Sequence, residues 1–398
     1  MITNRQLFTS YLAQTSDFPL SLEIEKAEGV YMYDVSGKKY LDLISGISVS
    51  NIGHRHPKVL QAIKEQLDKY LHLMVYGEYI QSPQVKLAAL LASKLPPALS
   101  CSYFVNSGSE AIEGALKLAK RYTGKTEIIS FKNAYHGSSH GALSVMGNEI
   151  FKNAFRPLLP DIRICEFNKE QELEKITSKT ACVIIEPIQG EAGVRIPDYG
   201  FLMKLRRKCD QTKTLLIFDE IQTGFGRTGT LFAFEQFGVI PDIITIAKGM
   251  GGGMPIGAFI SSKEIMDTLK DNPVLGHITT FGGHPVSCAA SQGCLESILE
   301  EKLIDTIYEK EQLFKSLLIH PAIIEVRGKG LLLAVEFTNY EFNKKVIDRC
   351  IEKGVITDWF LFCDNSMRIA PPLTIELEEI NYACSIILQS IHEIQNNI

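Results

Sequence analysis

The sequence lacks the features that would send it to a membrane, a nucleic acid or a metal. No apolar run approaches the roughly 20 residues of a spanning helix. The first residues, Met1-Ile2-Thr3-Asn4-Arg5-Gln6, lack the basic-then-apolar pattern of a secretory leader. Positive charge is not in excess: 41 Lys and Arg stand against 46 Asp and Glu. The net charge of −5 gives no electrostatic footprint for nucleic acid or an anionic membrane. None of the nine cysteines forms a close ligand pair. An odd, dispersed set fits buried free thiols in a reducing compartment, so the cytoplasm is the expected location. His54 and His56 have no nearby carboxylate or cysteine to complete a ligand set, and His136 and His140 sit after a glycine loop, so no metal site is expected. Low-complexity segments and internal repeats are absent as well.

What the chain does have is length and alternation. Its 398 residues leave room for a large core and roughly two or three domains. The middle carries short continuous apolar runs: Ser102–Val105, Glu127–Phe131, Ala181–Ile185, Leu215–Phe218 and Ile243–Ala247. Continuous runs predict strands buried on both faces. Helical patterns lie between them, as in Ser109–Arg121 with Ile112, Ala115, Leu116 and Ala119 on one stripe. The alternation predicts an α/β fold with a mostly parallel sheet. The flanks read differently. Gly29–Asp42 reads as a hairpin turning at Ser36-Gly37. Strands at Ile323–Val326, Leu331–Phe337 and Ser366–Ile369 stand among long helices. These predict a small α+β domain drawn from both termini: residues 1–45 and 286–398 around a large domain of 46–285.

Ligands of such sheets sit beyond the carboxyl ends of the strands. The unusual polar residues fall there. Asp219 closes one apolar run and Lys248 closes the next, opening Gly249-Met250-Gly251-Gly252-Gly253. A carboxylate and an amine at neighbouring strand ends suit pyridoxal phosphate: the amine can hold an aldehyde as a Schiff base, and the carboxylate can keep a pyridine nitrogen protonated. Ser107-Gly108-Ser109 follows a strand and opens a helix, where backbone amides and a hydroxyl can hold a phosphate; a plain serine N-cap would look the same. Tyr135 follows the next strand and could stack on a flat ring. Glu186 and Glu191 bracket a Pro and Gly turn that excludes helical spacing. Gln222, three residues past Asp219, could donate to a phenolic oxygen, while Arg227 reads as part of a structured loop. Thr279 and Thr280 offer hydroxyls that could reach a phosphate or simply make a turn. Arg368 precedes Ile369-Ala370-Pro371-Pro372 and could clamp a carboxylate bidentately.

The order of these segments, from about Gly29 to Pro372, resembles the class III pyridoxal-phosphate aminotransferases, the group of the ornithine, acetylornithine and 4-aminobutyrate enzymes. The resemblance implies the fold type I architecture of pyridoxal-phosphate-dependent transferases. It pairs a seven-stranded large domain with a small domain from both termini, in a homodimer with shared active sites. It implies a ping-pong reaction between an amine and a 2-oxo acid, with 2-oxoglutarate as the expected acceptor. Carried onto this chain, Lys248 forms the Schiff base and shuttles the proton, and Asp219 pairs with the pyridine nitrogen. Gln222 lies near the phenolic oxygen, and Tyr135 stacks on the ring. Ser107, Gly108 and Ser109 hold the phosphate with Thr280 of the neighbouring subunit, and Glu186 supports the hydrogen-bond network. Arg368 binds the carboxylate of the amino-acid partner, with Glu191 as its counter-charge when an ω-amine enters.

Two departures bear on the substrate. Members that bind an acidic distal group carry arginine just after the aromatic-X-glycine step, where this chain has Ser138. Ile47 stands where ornithine aminotransferases carry tyrosine. Both lean away from acetylornithine, 4-aminobutyrate and ornithine, towards an ω-amino or diamine-type donor that needs no arginine at its far end. Competing readings are an amino mutase or decarboxylase on the same fold, and a catalytically silent homologue acting as a binding protein. A dinucleotide-binding dehydrogenase fails for want of a Gly-x-Gly-x-x-Gly after the first strand of a βαβ unit.

Overall fold

Three sheets and two main hydrophobic cores organise the computed structural model, which describes residues 2–396. The large sheet has seven strands, in spatial order Cys101–Val105, Gly257–Ser261, Ile243–Ile246, Leu215–Asp219, Thr180–Ile185, Glu127–Phe131 and Ile162–Cys165. Only Gly257–Ser261 runs antiparallel to its neighbours. The five apolar runs are all strands of this sheet. Thr180–Ile185, Leu215–Asp219 and Ile243–Ile246 are buried at every position, which is why they carry no polar alternation.

Helices cover both faces. Gly108–Thr123 packs its apolar stripe on one side, and Gly114 sits so close to the sheet that an added Cβ would lie 2.2 Å from the Phe259 ring. On the other face, Pro57–Leu67, Ser82–Lys94 and Pro285–Glu300 share a second layer. Cys288, Cys294, Leu295 and Ile298 thus belong to the core of the large sheet. The core changes over after that helix rather than at its start.

The chain's two ends meet in a four-stranded sheet of Ile24–Glu28, Tyr31–Asp34, Lys39–Asp42 and Val355–Ile356, the last running parallel to Lys39–Asp42. The expected hairpin is the pair Tyr31–Asp34 and Lys39–Asp42. A third sheet joins Glu325–Lys329, Leu332–Glu336, Cys363–Ile369 and Trp359–Phe360. Its first strand begins later than the Ile323–Val326 run suggests. These two sheets and the helices Ile307–Leu317, Tyr340–Glu352 and Leu377–Asn396 enclose a separate core. Among the described residues no helix is long and apolar enough to cross a membrane, and no cluster of three metal-ligating side chains occurs.

Candidate active site

The carboxyl ends of the central strands open onto a cavity of about 440 Å³. Asp219, the last residue of its strand, and Lys248, just past the end of the adjacent one, both line it. So do Ser107, Gly108, Ser109, Tyr135, Glu186, Glu191 and Gln222. Residues up to 141 positions apart in sequence are thus gathered by one edge of one sheet.

Each group is held by its local chain. Lys248 turns out of its strand with φ of +48°, a left-handed conformation imposed where strand gives way to the Lys248–Gly251 turn. Asp219 Oδ1 accepts from the Ile221 amide at 3.0 Å, and Oδ2 lies 2.7 Å from His136 Nδ1. Ser107 caps the helix Gly108–Thr123, its hydroxyl accepting from the Glu110 amide. The free amides at this sixteen-residue helix start face the cavity and could hold an anion. An added Cβ on Gly108 would come within 2.9 Å of Ile221 Cδ1, so a larger residue there would have to displace the Ile221 side chain. Ser109 Oγ accepts from the Ser138 amide. Glu186 accepts from the amides of Tyr135 and Gly190, so one carboxylate shapes two loops.

Electrostatics follow from burial. Burial pushes the Glu186 carboxyl up to about 7, with His136 opposing and Asp219 adding to the rise. Burial likewise holds the Lys248 amine below its ordinary pKa; Glu191 offsets part of the fall and Arg368 deepens it. An amine so placed gives up its proton more readily than a surface lysine.

A second cavity of about 400 Å³ shares Tyr135, Glu191 and Lys248 with the first and adds Ile47, Asp358, Trp359, Leu361 and Arg368. Here Arg368 and Glu191 form a buried fork, Nη1 to Oε1 at 2.9 Å and Nη2 to Oε2 at 3.0 Å. Glu191 also accepts from Gln222 Nε2 at 3.1 Å and the Leu361 amide at 3.1 Å. Burial alone would raise the Glu191 carboxyl, but Arg368 outweighs it and brings it down to about 2. Arg368 Nε donates to Asp358 Oδ1 at 2.8 Å, and the guanidinium lies 4.4 Å over the Phe360 ring.

Of the residues to which the resemblance gives a role in the site, Thr280 alone lines neither cavity. It is exposed, and its carbonyl pairs with His72 Nε2. Sequence reasoning passed over three others. His136 lay inside a quoted motif, but its partner Asp219 is 83 residues away. Ile221 was hidden between Asp219 and Gln222. Asp358 had no signal beyond lying ten residues before Arg368. Arg227, read as a loop residue, is wholly buried: it donates to the Leu331 carbonyl and Asn51 Oδ1 and ties the loop after Asp219 to the small sheets.

The family model described as Aminotransferase class-III matches residues 11–391. The chain is 39% identical over 383 residues to the acetylornithine aminotransferase of Methanopyrus kandleri, covering 95% of this chain and 96% of that protein. It is 40% identical over 374 residues to that of Methanosarcina mazei, covering 93% and 91%. Among solved structures, the ornithine aminotransferase of Toxoplasma gondii superposes with a TM-score of 0.91 at 30% identity, covering 98% of this chain and 93% of that one. The adenosylmethionine-8-amino-7-oxononanoate aminotransferase of Methanocaldococcus jannaschii gives 0.90 at 30%, covering 98% of each. The chain belongs to the class III aminotransferases, enzymes of the pyridoxal-phosphate-dependent transferase fold.

Proposed function

We propose that this aminotransferase moves an amino group from an ω-amino donor to a 2-oxo acid, with 2-oxoglutarate as the first acceptor to test. The observation that carries the reading is the closed Glu191–Arg368 fork beside Lys248. A buried guanidinium left unpaired against an uncharged substrate would be costly. Glu191 covers it while an amine without a carboxylate occupies the cavity. The oxo acid's carboxylate takes over the fork when Glu191 turns away.

The first cavity fits the cofactor. Its polar set is what a phosphorylated pyridine aldehyde needs: helix-start amides at Gly108 and Ser109, a buried carboxylate at Asp219, and an amine at Lys248. Buried His136 Nδ1 lies 2.7 Å from Asp219 Oδ2, so the imidazole fixes the direction in which that carboxylate faces the cavity. When bound, pyridoxal phosphate supplies the aldehyde that takes up the amine and the protonated ring that withdraws electrons. Asp219 would keep the ring nitrogen protonated, Tyr135 and Ile221 would confine the ring, and Gln222 would donate to its phenolic oxygen. Lys248 Nζ, its pKa lowered by burial, would take the proton from the carbon bearing the substrate amine and return it to the cofactor's aldehyde carbon, two bonds away across the nitrogen. Glu186 would keep the Tyr135 and Gly190 loops in register.

Leu71, Tyr79, Ile80, Val274, Ile278 and Phe281 are exposed apolar side chains on two segments, 71–80 and 274–281, joined where His72 Nε2 meets the carbonyl of exposed Thr280. They support a homodimer in which Thr280 reaches the partner's phosphate end. Nine free thiols, seven of them buried, support a reducing compartment, the cytoplasm. On the donor, Ser138 is exposed and short where a distal carboxylate would want a guanidinium, and Ile47 presents an aliphatic wall.

The test is Lys248→Ala. The variant should bind the cofactor noncovalently and lose the amine half-reaction by roughly 10³-fold, the scale of a positioned acid–base group. A variant with the wild-type rate would show that Lys248 moves no proton.

A further inference from the structure

Arg368 has two carboxylates, and the aminotransferase reading uses one of them. Glu191 occupies the Nη1 and Nη2 edge. Asp358 occupies the Nε edge through Oδ1 at 2.8 Å, and its backbone carbonyl accepts from the Arg368 amide at 2.8 Å. Asp358 is thus fixed to the strand that carries the arginine and stays when Glu191 turns away. Its Oδ2 makes no hydrogen bond among the described residues, and 26% of the side chain is exposed where it lines the substrate-side cavity. Glu191 and Arg368 are only 5% and 2% exposed.

Charge in this cavity does not balance. With the fork closed, one guanidinium faces two carboxylates. Lys248 is committed to the cofactor. Lys344 stands 6.0 Å over the Trp359 ring but is paired with Asp348. The carboxylate left over is Asp358, in a cavity that Trp359 also lines. Burial raises the Asp358 pKa, Arg368 opposes, and Glu191 adds to the rise. A partly buried carboxylate with a free oxygen in a cavity that an indole also lines is a site for an organic cation.

We propose that Asp358 selects the far end of the amine donor, and that the donor is a diamine: a primary amine at the reacting end and a second ammonium at the other. This rests on the aminotransferase reading above and names its substrate class. The reaction balances as an ordinary transamination: one amino group leaves the diamine as an aldehyde forms, and the oxo acid gains it. The second ammonium is bound and not consumed. A terminal carboxylate at the same position would meet Asp358 and Glu191 with no free cation, which the absence of arginine at Ser138 reinforces.

The experiment uses the holoenzyme and reads the amine half-reaction alone, from the cofactor's absorbance change in single turnover. The donors are 1,5-diaminopentane, pentylamine, 5-aminopentanoate and N-acetylornithine. Wild-type kcat/KM should rank the diamine first. In Asp358→Asn the diamine-over-pentylamine ratio should fall at least tenfold, and Asp358→Glu should restore it to within threefold. Pentylguanidinium, which cannot condense with the cofactor, gives a second reading by calorimetry: its Kd should rise at least tenfold in Asp358→Asn. Faster turnover of 5-aminopentanoate or N-acetylornithine than of the diamine overturns the assignment. So does an unchanged ratio together with an unchanged Kd. Failure to take an amino group from any of the four donors would overturn the aminotransferase reading itself, a different outcome.

Discussion

Replacing Glu191 with glutamine separates charge from shape at the fork. The amide keeps the size of the side chain and one acceptor oxygen, but it cannot neutralise Arg368. The carboxyl sits at about 2 against an ordinary 4.5 even though burial works against it. That shift corresponds to roughly 3 kcal/mol of preference for the charged form, and removing one partner of a buried pair costs on the order of 3–5 kcal/mol. Asp358 remains on the Nε edge, so a stability loss of roughly 2–4 kcal/mol is expected in denaturant unfolding. The sign with pH is fixed. A depressed carboxylate contributes fully above its unfolded pKa and loses that contribution as pH falls from 4.5 through about 2. The difference between wild type and Glu191→Gln should therefore be flat from pH 6 to pH 9. In catalysis the two half-reactions should split. The amine half-reaction should lose roughly 10²-fold in kcat/KM, because the donor must lie beside an uncovered guanidinium. The oxo-acid half-reaction should keep its rate with a lower KM, because no carboxylate has to be displaced first. Equal losses in both halves would refute the idea that Glu191 covers and uncovers Arg368.

Glu186 should behave with the opposite sign. Its carboxyl is raised to about 7, so its contribution to stability is full below the unfolded value of 4.5 and is lost as pH rises through 7; Glu186→Gln should flatten cofactor-free unfolding stability between pH 5 and pH 8 by roughly 2–3 kcal/mol, and a pH profile parallel to wild type would contradict it. Thr280 is tested by mixing subunits. Thr280→Val and Lys248→Ala homodimers should each be impaired, while their hybrid should regain one wild-type site, because the intact Lys248 would meet the intact Thr280 across the interface; no recovery in the hybrid would return Thr280 to its own subunit.

The lining of the first cavity was legible because parallel sheets put their ligands where apolar runs end. Asp219 and Lys248 announce themselves as polar residues closing buried strands, and five strands of the large sheet show as unbroken apolar runs. The two that do not are informative. Ile162–Cys165 is an edge strand with Arg163 exposed, so its pattern alternates over too few residues. Gly257–Ser261 is fully buried but glycine-led and follows the Gly251-Gly252-Gly253 run after only Met254, Pro255 and Ile256. Pairings that close over long distances were not legible at all. The His136–Asp219 bond and the Arg227–Asn51 tie span 83 and 176 residues. Neither has a local period, a spacing or a turn to mark it.

The substrate wall depends on one such long-range construction. Ser45, Gly46, Ile47 and Ser48 all have left-handed φ, between +50° and +63°. For the non-glycine residues that conformation costs roughly 1–2 kcal/mol each, and more for β-branched Ile47. The turn persists because its surroundings over-determine it. Asp42 accepts from the amides of Ile44 and Ser45, both at 2.8 Å, and is itself paired with His54. Ser45 Oγ donates to the Ala370 carbonyl, and the Ala370 amide donates to Leu43. Ala370 lies two residues past Arg368. The strained turn that delivers Ile47 is therefore stitched to the segment that delivers the arginine, and the two walls of the substrate cavity are set by one set of hydrogen bonds. The large sheet fixes where the cofactor can react. On the function proposed above, Ile47, Asp358 and Arg368, all carried outside that sheet, would decide what enters. On that reading a chain could keep Lys248 and Asp219 and still change its donor there, so Asp358 and Ser138 would carry more information about the substrate than the residues at the strand ends.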